Sequence, residues 1–151
     1  MTTLFNSKAA FFMQMNKNLL KILKSWAIFA AAMEEWESDF EWLRVRHLVK
    51  DRFNRDTLPD LNGILFLIGI QELGRWKKEF SKEEKQDLMH IAVCRLLSYD
   101  GYYEFAGRDE DGWPHWKPLR VMPKRELREQ ELLLQSYVIR YFKELEAESE
   151  T

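Results

Sequence analysis

Apolar residues recur along the first third of the chain at steps that alternate three and four without a break. The series runs Phe12, Met15, Leu19, Ile22, Trp26, Phe29, Met33, Trp36, Phe40, Leu43 and ends at His47. That period predicts a long helix with one apolar face. At about 100° per residue, Lys17, Lys21 and Lys24 fall opposite the stripe. The segment therefore reads as a basic amphipathic helix, a pattern associated with membrane surfaces and with partners that accept a helix in a groove. Ser38-Asp39-Phe40-Glu41 also fits a capping box, which would start a fresh helix at Asp39. One helix and two helices thus compete here. Either way the helix reaches about Asn54 and carries a second apolar face, Trp42, Val45, Val49 and Phe53. A helix apolar on two sides has to touch two things: the domain core and either the arm or a partner.

Further along, Thr57-Leu58-Pro59-Asp60 reads as a turn with Asp60 as N-cap. Leu61 to Leu73 is nearly all apolar and predicts a central, buried second helix stopped by Gly74. Gly69 inside it predicts close approach of a neighbouring helix. Ser81 with Glu84 forms a cleaner capping box, opening a third helix from Lys82 to about Ser98. The period then shortens. Tyr102 to Phe105 and Trp113 to Leu119 read as two strands, joined by a tip at Arg108-Asp109-Glu110-Asp111-Gly112, with Pro114 and Pro118 marking an edge. After Pro123 a last helix runs to about Leu145 on the seam Leu127, Leu134, Val138, Tyr141 and Leu145, and the acidic tail from Glu146 is expected to fray. The expected fold is mainly α (α+β): a helical domain with one β-hairpin in winged-helix-like element order, preceded by a long amphipathic N-terminal helix. The division expected is an arm at 1–32 and a domain at 33–151 with its hairpin at about 102–119.

Two other readings of residues 1–32 stand beside the arm. Ala30-Ala31-Ala32 would suit a secretory cleavage site, although Lys21 and Lys24 interrupt the apolar segment such a signal needs. Met33 would suit a start site with an upstream extension before it, although the stripe crosses Met33 unbroken.

The chain's 151 residues suit one domain with its own core. Aromatic content is high at 14%, with six Trp and ten Phe, and these rings either fill a core or line a partner surface. The net charge of −2 conceals an asymmetry. Residues 1–32 hold four lysines and no acid, whereas the rest carry 19 basic and 25 acidic side chains. Only the arm would seek anionic surfaces. The charge-free apolar run Ser25 to Met33 is far shorter than the roughly 20 residues a spanning helix needs. One cysteine, Cys94, excludes an intramolecular disulfide and is compatible with a reducing compartment. These features point to a cytoplasmic chain, with peripheral membrane contact through the N-terminal helix as an option.

Helices followed by a hairpin suggest a winged-helix DNA reader, but the chemistry disfavours nucleic acid. The third helix opens Lys82-Glu83-Glu84-Lys85-Gln86-Asp87, and the wing tip carries Asp109, Glu110 and Asp111, where phosphates need Lys or Arg. The basic cluster Lys117, Arg120, Lys124, Arg125 and Arg128 reads better as a solvated face. On the third helix Glu83, Asp87, His90 and Cys94 share one arc at steps of four, three and four. All are metal-ligand types, and Glu72 and His115 would complete a site if folding brought them near. The bland alternative is a solvated edge, with Cys94 as a small hydrophobe. No cofactor is expected beyond a weak divalent-metal option. A calcium loop at Asp109–Gly112 fails, because Gly107 and Pro118 would occupy positions that require carboxylates. No nucleophile elbow or phosphate loop is present in the sequence. The segment Asp60 to Trp116, with LNGILFLIGIQELG, KEEKQDLMHIAVCRLLS and DEDGWPHW, resembles small bacterial proteins without an assigned activity. The resemblance implies a bacterial cytosolic setting and no reaction.

The expected function is a non-enzymatic accessory or adaptor protein. It would bind a protein partner through Leu19, Ile22, Trp26 and Phe29 of the helix, or through Tyr102, Tyr103, Trp113 and Trp116 of the hairpin. The alternative is a metal-dependent enzyme using Asp87, His90 and Cys94.

Overall fold

The computed structural model describes residues 2–151, with side chains described from Ser7 onward. Four helices and one hairpin follow in order. They are α1 (Thr2–Arg52), α2 (Leu61–Leu73), α3 (Lys82–Leu97), a 3-10 turn at Ser98–Asp100, β1 (Tyr103–Arg108), β2 (Pro114–Pro118) and α4 (Leu127–Ser149). The chain divides into two compact units, Met1–Phe40 and Glu41–Thr151.

In the first unit the backbone is helical from Thr2 onward, and α1 passes Ser38 and Asp39 without interruption. The fresh start expected at Asp39 does not form. A capping box satisfies a helix end only where the preceding chain leaves the helix, and the unbroken apolar period supplies no reason to leave it.

The second unit is built on α2. Its Asp60 Oδ1 accepts from the Gly63 amide at 2.8 Å, and Gly74 closes it in the left-handed conformation at φ 79°. Nearly every α2 side chain on the inner turns is buried, and the helix lies against α3. Gly69 is the reason the two helices meet so closely. A Cβ placed there would lie 2.2 Å from the Leu88 carbonyl oxygen of α3, a distance no side chain tolerates. Ser81 Oγ caps α3 by accepting from the Glu84 amide at 3.1 Å, while the Glu84 carboxylate holds Lys77 Nζ at 2.9 Å.

Around this pair the core gathers Val45 and Val49 of α1, Leu88, Ala92 and Leu96 of α3, Tyr102, and Tyr137, Val138, Tyr141 and Phe142 of α4. Trp42 and Phe53 pack at its margin, so the second apolar face of α1 does enter the core. The antiparallel strands β1 and β2 pair Tyr103 with Pro118 and Phe105 with Trp116, and a bulge shifts the register before Arg108. The hairpin packs on α3 and is tied to α2 by Arg108. That guanidinium donates to the Glu72 carbonyl at 2.7 Å, the Leu73 carbonyl at 3.2 Å and the Gly112 carbonyl at 2.8 Å. It thereby satisfies carbonyls that the end of α2 would otherwise leave open.

Helix α4 begins at Leu127, four residues after Pro123, and continues through the tail expected to fray. Glu146 is held there by Arg44, with Nη1 to Oε1 at 3.1 Å, and Lys143 reaches Glu41 at 3.5 Å. Replacing Gly69 with alanine should therefore cost about 3 kcal/mol or more of stability, because backbone rather than a flexible side chain blocks the methyl group. Chemical denaturation of the wild type and Gly69→Ala measures this, and a loss below about 0.5 kcal/mol would contradict the tight crossing.

Candidate functional site

Two features carry the residues that the sequence singles out. The first lies in the unit Met1–Phe40. Every described residue from Ser7 to Phe40 is exposed. That includes the stripe itself: Phe12 is 62% exposed, Trp26 65% and Trp36 68%, with Leu19, Ile22 and Phe29 also more than half exposed. The Trp26 and Phe29 rings meet edge to face at 6.2 Å and border a shallow apolar depression with Ser25. Phe11 and Leu23 add apolar surface beside the seam, while Met13, Leu20 and Ile28 are exposed on the side of the helix that carries the lysines. Soluble chains usually scatter single exposed apolar residues, whereas here they form a contiguous run. No helix among the described residues is long and apolar enough to cross a membrane.

The second feature is a pocket between α3 and the hairpin. Asp87, His90, Ile91 and Cys94 form one wall, and Asp109, Trp113, Pro114, His115 and Trp116 the other, around a cavity of about 320 Å³. The three-four spacing on α3 does bring Asp87, His90 and Cys94 to one face. The hairpin adds His115, the residue that folding had to supply. Glu83 sits exposed in the first turn of α3 and takes no part in the wall. Glu72 is engaged elsewhere, accepting from the Tyr141 hydroxyl at 2.7 Å and facing Arg95 at 3.7 Å.

Within the pocket Cys94 Sγ lies 3.6 Å from His90 Nε2, one helical turn apart. Burial pushes the Cys94 thiol up to about 11, so at neutral pH it is a protonated thiol and a poor nucleophile. Opposite, Asp109 organises the hairpin tip. Its Oδ1 accepts from the amides of Asp111 and Trp113 at 2.9 and 3.0 Å, and its Oδ2 pairs with His115 Nε2 at 2.9 Å. The His115 hydrogen bond, helped by those amides, holds the Asp109 carboxyl below the usual carboxylate range. Trp116 Nε1 is buried in this region without a protein hydrogen-bond partner. No group of three or more His, Cys, Asp or Glu among the described residues is arranged to hold a metal ion.

The hairpin aromatics divide. Tyr102 is buried in the core; Tyr103, Trp113 and Trp116 are half-buried; Phe105 is exposed beside Trp116 at 5.5 Å between ring centres. A further cluster had no signal in the sequence. Arg95 lies over the Tyr99 and Tyr141 rings at 4.9 and 5.5 Å, Tyr99 donates to Glu144 at 2.8 Å, and Arg140 stacks on Tyr99 at 4.1 Å. Burial raises the Tyr99 hydroxyl to about 12, while the hydrogen bond from that hydroxyl holds Glu144 below the usual carboxylate range. These groups satisfy one another across α3 and α4, which is the behaviour of a structural network.

No protein-family model, characterised protein or solved structure matches the chain.

Proposed function

We propose that the chain is a non-enzymatic accessory protein that docks a protein partner through the exposed face of α1. The observation that carries this reading is the exposed stripe from Phe12 to Phe40, with its Trp and Phe positions more than half open to water. Large rings in a contiguous row are what helix-binding partners anchor on. The hairpin is a weaker surface, because Tyr102 is committed to the core and Trp113 and Trp116 are turned largely inward. Among the described residues every buried core residue comes from Val45 or later, so docking and folding draw on different parts of the chain.

Deleting residues 1–32 should leave a cooperative thermal transition and remove whatever partner the full chain captures. Affinity capture from cells, with the full chain and the truncated chain as matched baits, reads this out. Capture of the same protein by the truncated chain would move the docking surface elsewhere, and loss of the thermal transition would make the helix a structural element.

A second reading, a metal-dependent activity on Asp87, His90 and Cys94, is favoured by one observation: those three side chains and His115 line one cavity, with the Cys94 sulfur and a His90 nitrogen already 3.6 Å apart. Two ligands of a tetrahedral zinc ion stand at about that separation. Cobalt(II) added to the full chain should produce the intense near-ultraviolet band of thiolate ligation if this reading holds, and His90→Ala should abolish it. A featureless spectrum at stoichiometric cobalt would remove the reading.

A further inference from the structure

The cavity between α3 and the hairpin has a one-signed lining. Two carboxylates border it, Asp87 from α3 and Asp109 from the hairpin tip, and no lysine or arginine does. The two arginines bonded to the hairpin tip are turned elsewhere. Arg108 gives its guanidinium to the carbonyls of Glu72, Leu73 and Gly112, and Arg75 donates to the Asp111 carbonyl at 2.7 Å. Burial keeps the Cys94 thiol neutral at pH 7. The fixed charges around the space are therefore both negative, and a cleft lined by one sign of charge concentrates the opposite sign.

The two carboxylates are held differently. The amides of Asp111 and Trp113 and the His115 ring fix Asp109, so it needs no reorganisation when a cation arrives. Asp87 makes no hydrogen bond or ion pair among the described residues, and its charge is uncommitted. Much of the remaining lining is apolar or aromatic. Trp113 and Trp116 contribute indole rings, the side chains that attract cations most strongly, beside the buried Ile91 and Pro114.

We infer that this cavity binds a small organic ammonium ion, a protonated amine on a short apolar stem, with its head toward Asp87 and Asp109 and its stem along the indole rings. At about 320 Å³ the space has the size of a small-molecule site and is far larger than a single ion requires. A hydrated inorganic cation gains little from Trp113 and Trp116, whereas the methylene groups of an amine leave water there. An anion would meet two carboxylates and no fixed positive charge. The inference goes beyond the docking role and does not depend on it, because every residue it uses lies in Glu41–Thr151. It also differs from the metal reading in the groups it uses. A metal would take the Cys94 sulfur and the His90 nitrogen, and an ammonium ion takes the carboxylates and the rings.

The test is a titration of the full chain with cadaverine in the presence of a chelator, followed through the indole N–H signals in proton–nitrogen correlation spectra. The six tryptophans give one such signal each, and Trp113→Phe and Trp116→Phe identify the two that matter. Trp26, Trp36, Trp42 and Trp76 do not line the cavity and serve as internal references. The inference expects saturable shifts confined to the Trp113 and Trp116 signals. It expects Asp87→Asn to weaken binding about fivefold or more, because hydrogen bonds to a charged group are stronger than neutral ones. The thermal transition should be unchanged in that variant, since Asp87 has no internal bond to lose. Glu110→Gln removes a charge from the same hairpin tip outside the cavity and should leave binding as it is. No saturable shift in the millimolar range, or equal shifts at all six tryptophans, would overturn the inference. Equal weakening by Glu110→Gln would overturn it too, by reducing the effect to net charge, as would equal shifts with pentanol, by reducing it to apolar contact. Binding seen only when the chelator is omitted would give the cavity to a metal ion instead.

Discussion

Apolar surface leaves water where it can, and the two units of this chain meet that constraint in different ways. In Glu41–Thr151 it is met internally. Helix α2 carries so little polar surface that it has to lie at the centre, and Gly69 lets α3 approach until the Leu88 carbonyl occupies the space a side chain would need. The other elements cover what remains. Val45 and Val49 arrive from α1, and Tyr141 and Phe142 from α4, while Arg108 closes the end of α2 with the hairpin. In residues 7–40 the same constraint goes unmet, because the stripe is exposed along its whole length. Isolated helices in water are marginal, and most draw their stability from packing one face. Residues 7–40 leave that source of stability unused.

That difference orders the functional readings. A pocket with two histidines, two aspartates and a cysteine attracts attention as chemistry, yet its members are mostly occupied with each other. Asp109 and His115 shape the hairpin tip, and the Cys94 thiol is protonated by burial. The exposed seam has no such internal use.

Much of the second unit was legible in the sequence where the signals are local. The turn at Pro59, the Asp60 cap, the apolar run and Gly74 bound α2 at Leu61 and Leu73 as expected, and Ser81 does the same for the start of α3. Gly69 was legible because a glycine inside an apolar helix has few uses other than close packing. The misleading signals were also local ones. Ser38 and Glu41 have capping-box spacing, but helix continuity at that point follows from the stripe passing through them. The acid-rich end of α4 looked frayed because its partner, Arg44, lies 102 residues away. The same limit applies to the candidate site. Helical period put Asp87, His90 and Cys94 on one arc, whereas the arrival of His115 and the diversion of Glu72 to Tyr141 depend on tertiary contacts that spacing does not encode.

Hydrogen exchange on the full chain, read by mass spectrometry from dilute to concentrated solution, tests the central claim that this helix is completed by a partner. The account predicts slow exchange in α2 and α3 at every concentration. Across residues 15–40 it predicts fast exchange in dilute solution, slowing as a partner is added. Slow exchange across residues 15–40 in a dilute monomer would contradict it, because the stripe would then be covered by its own chain and would have no surface left to offer.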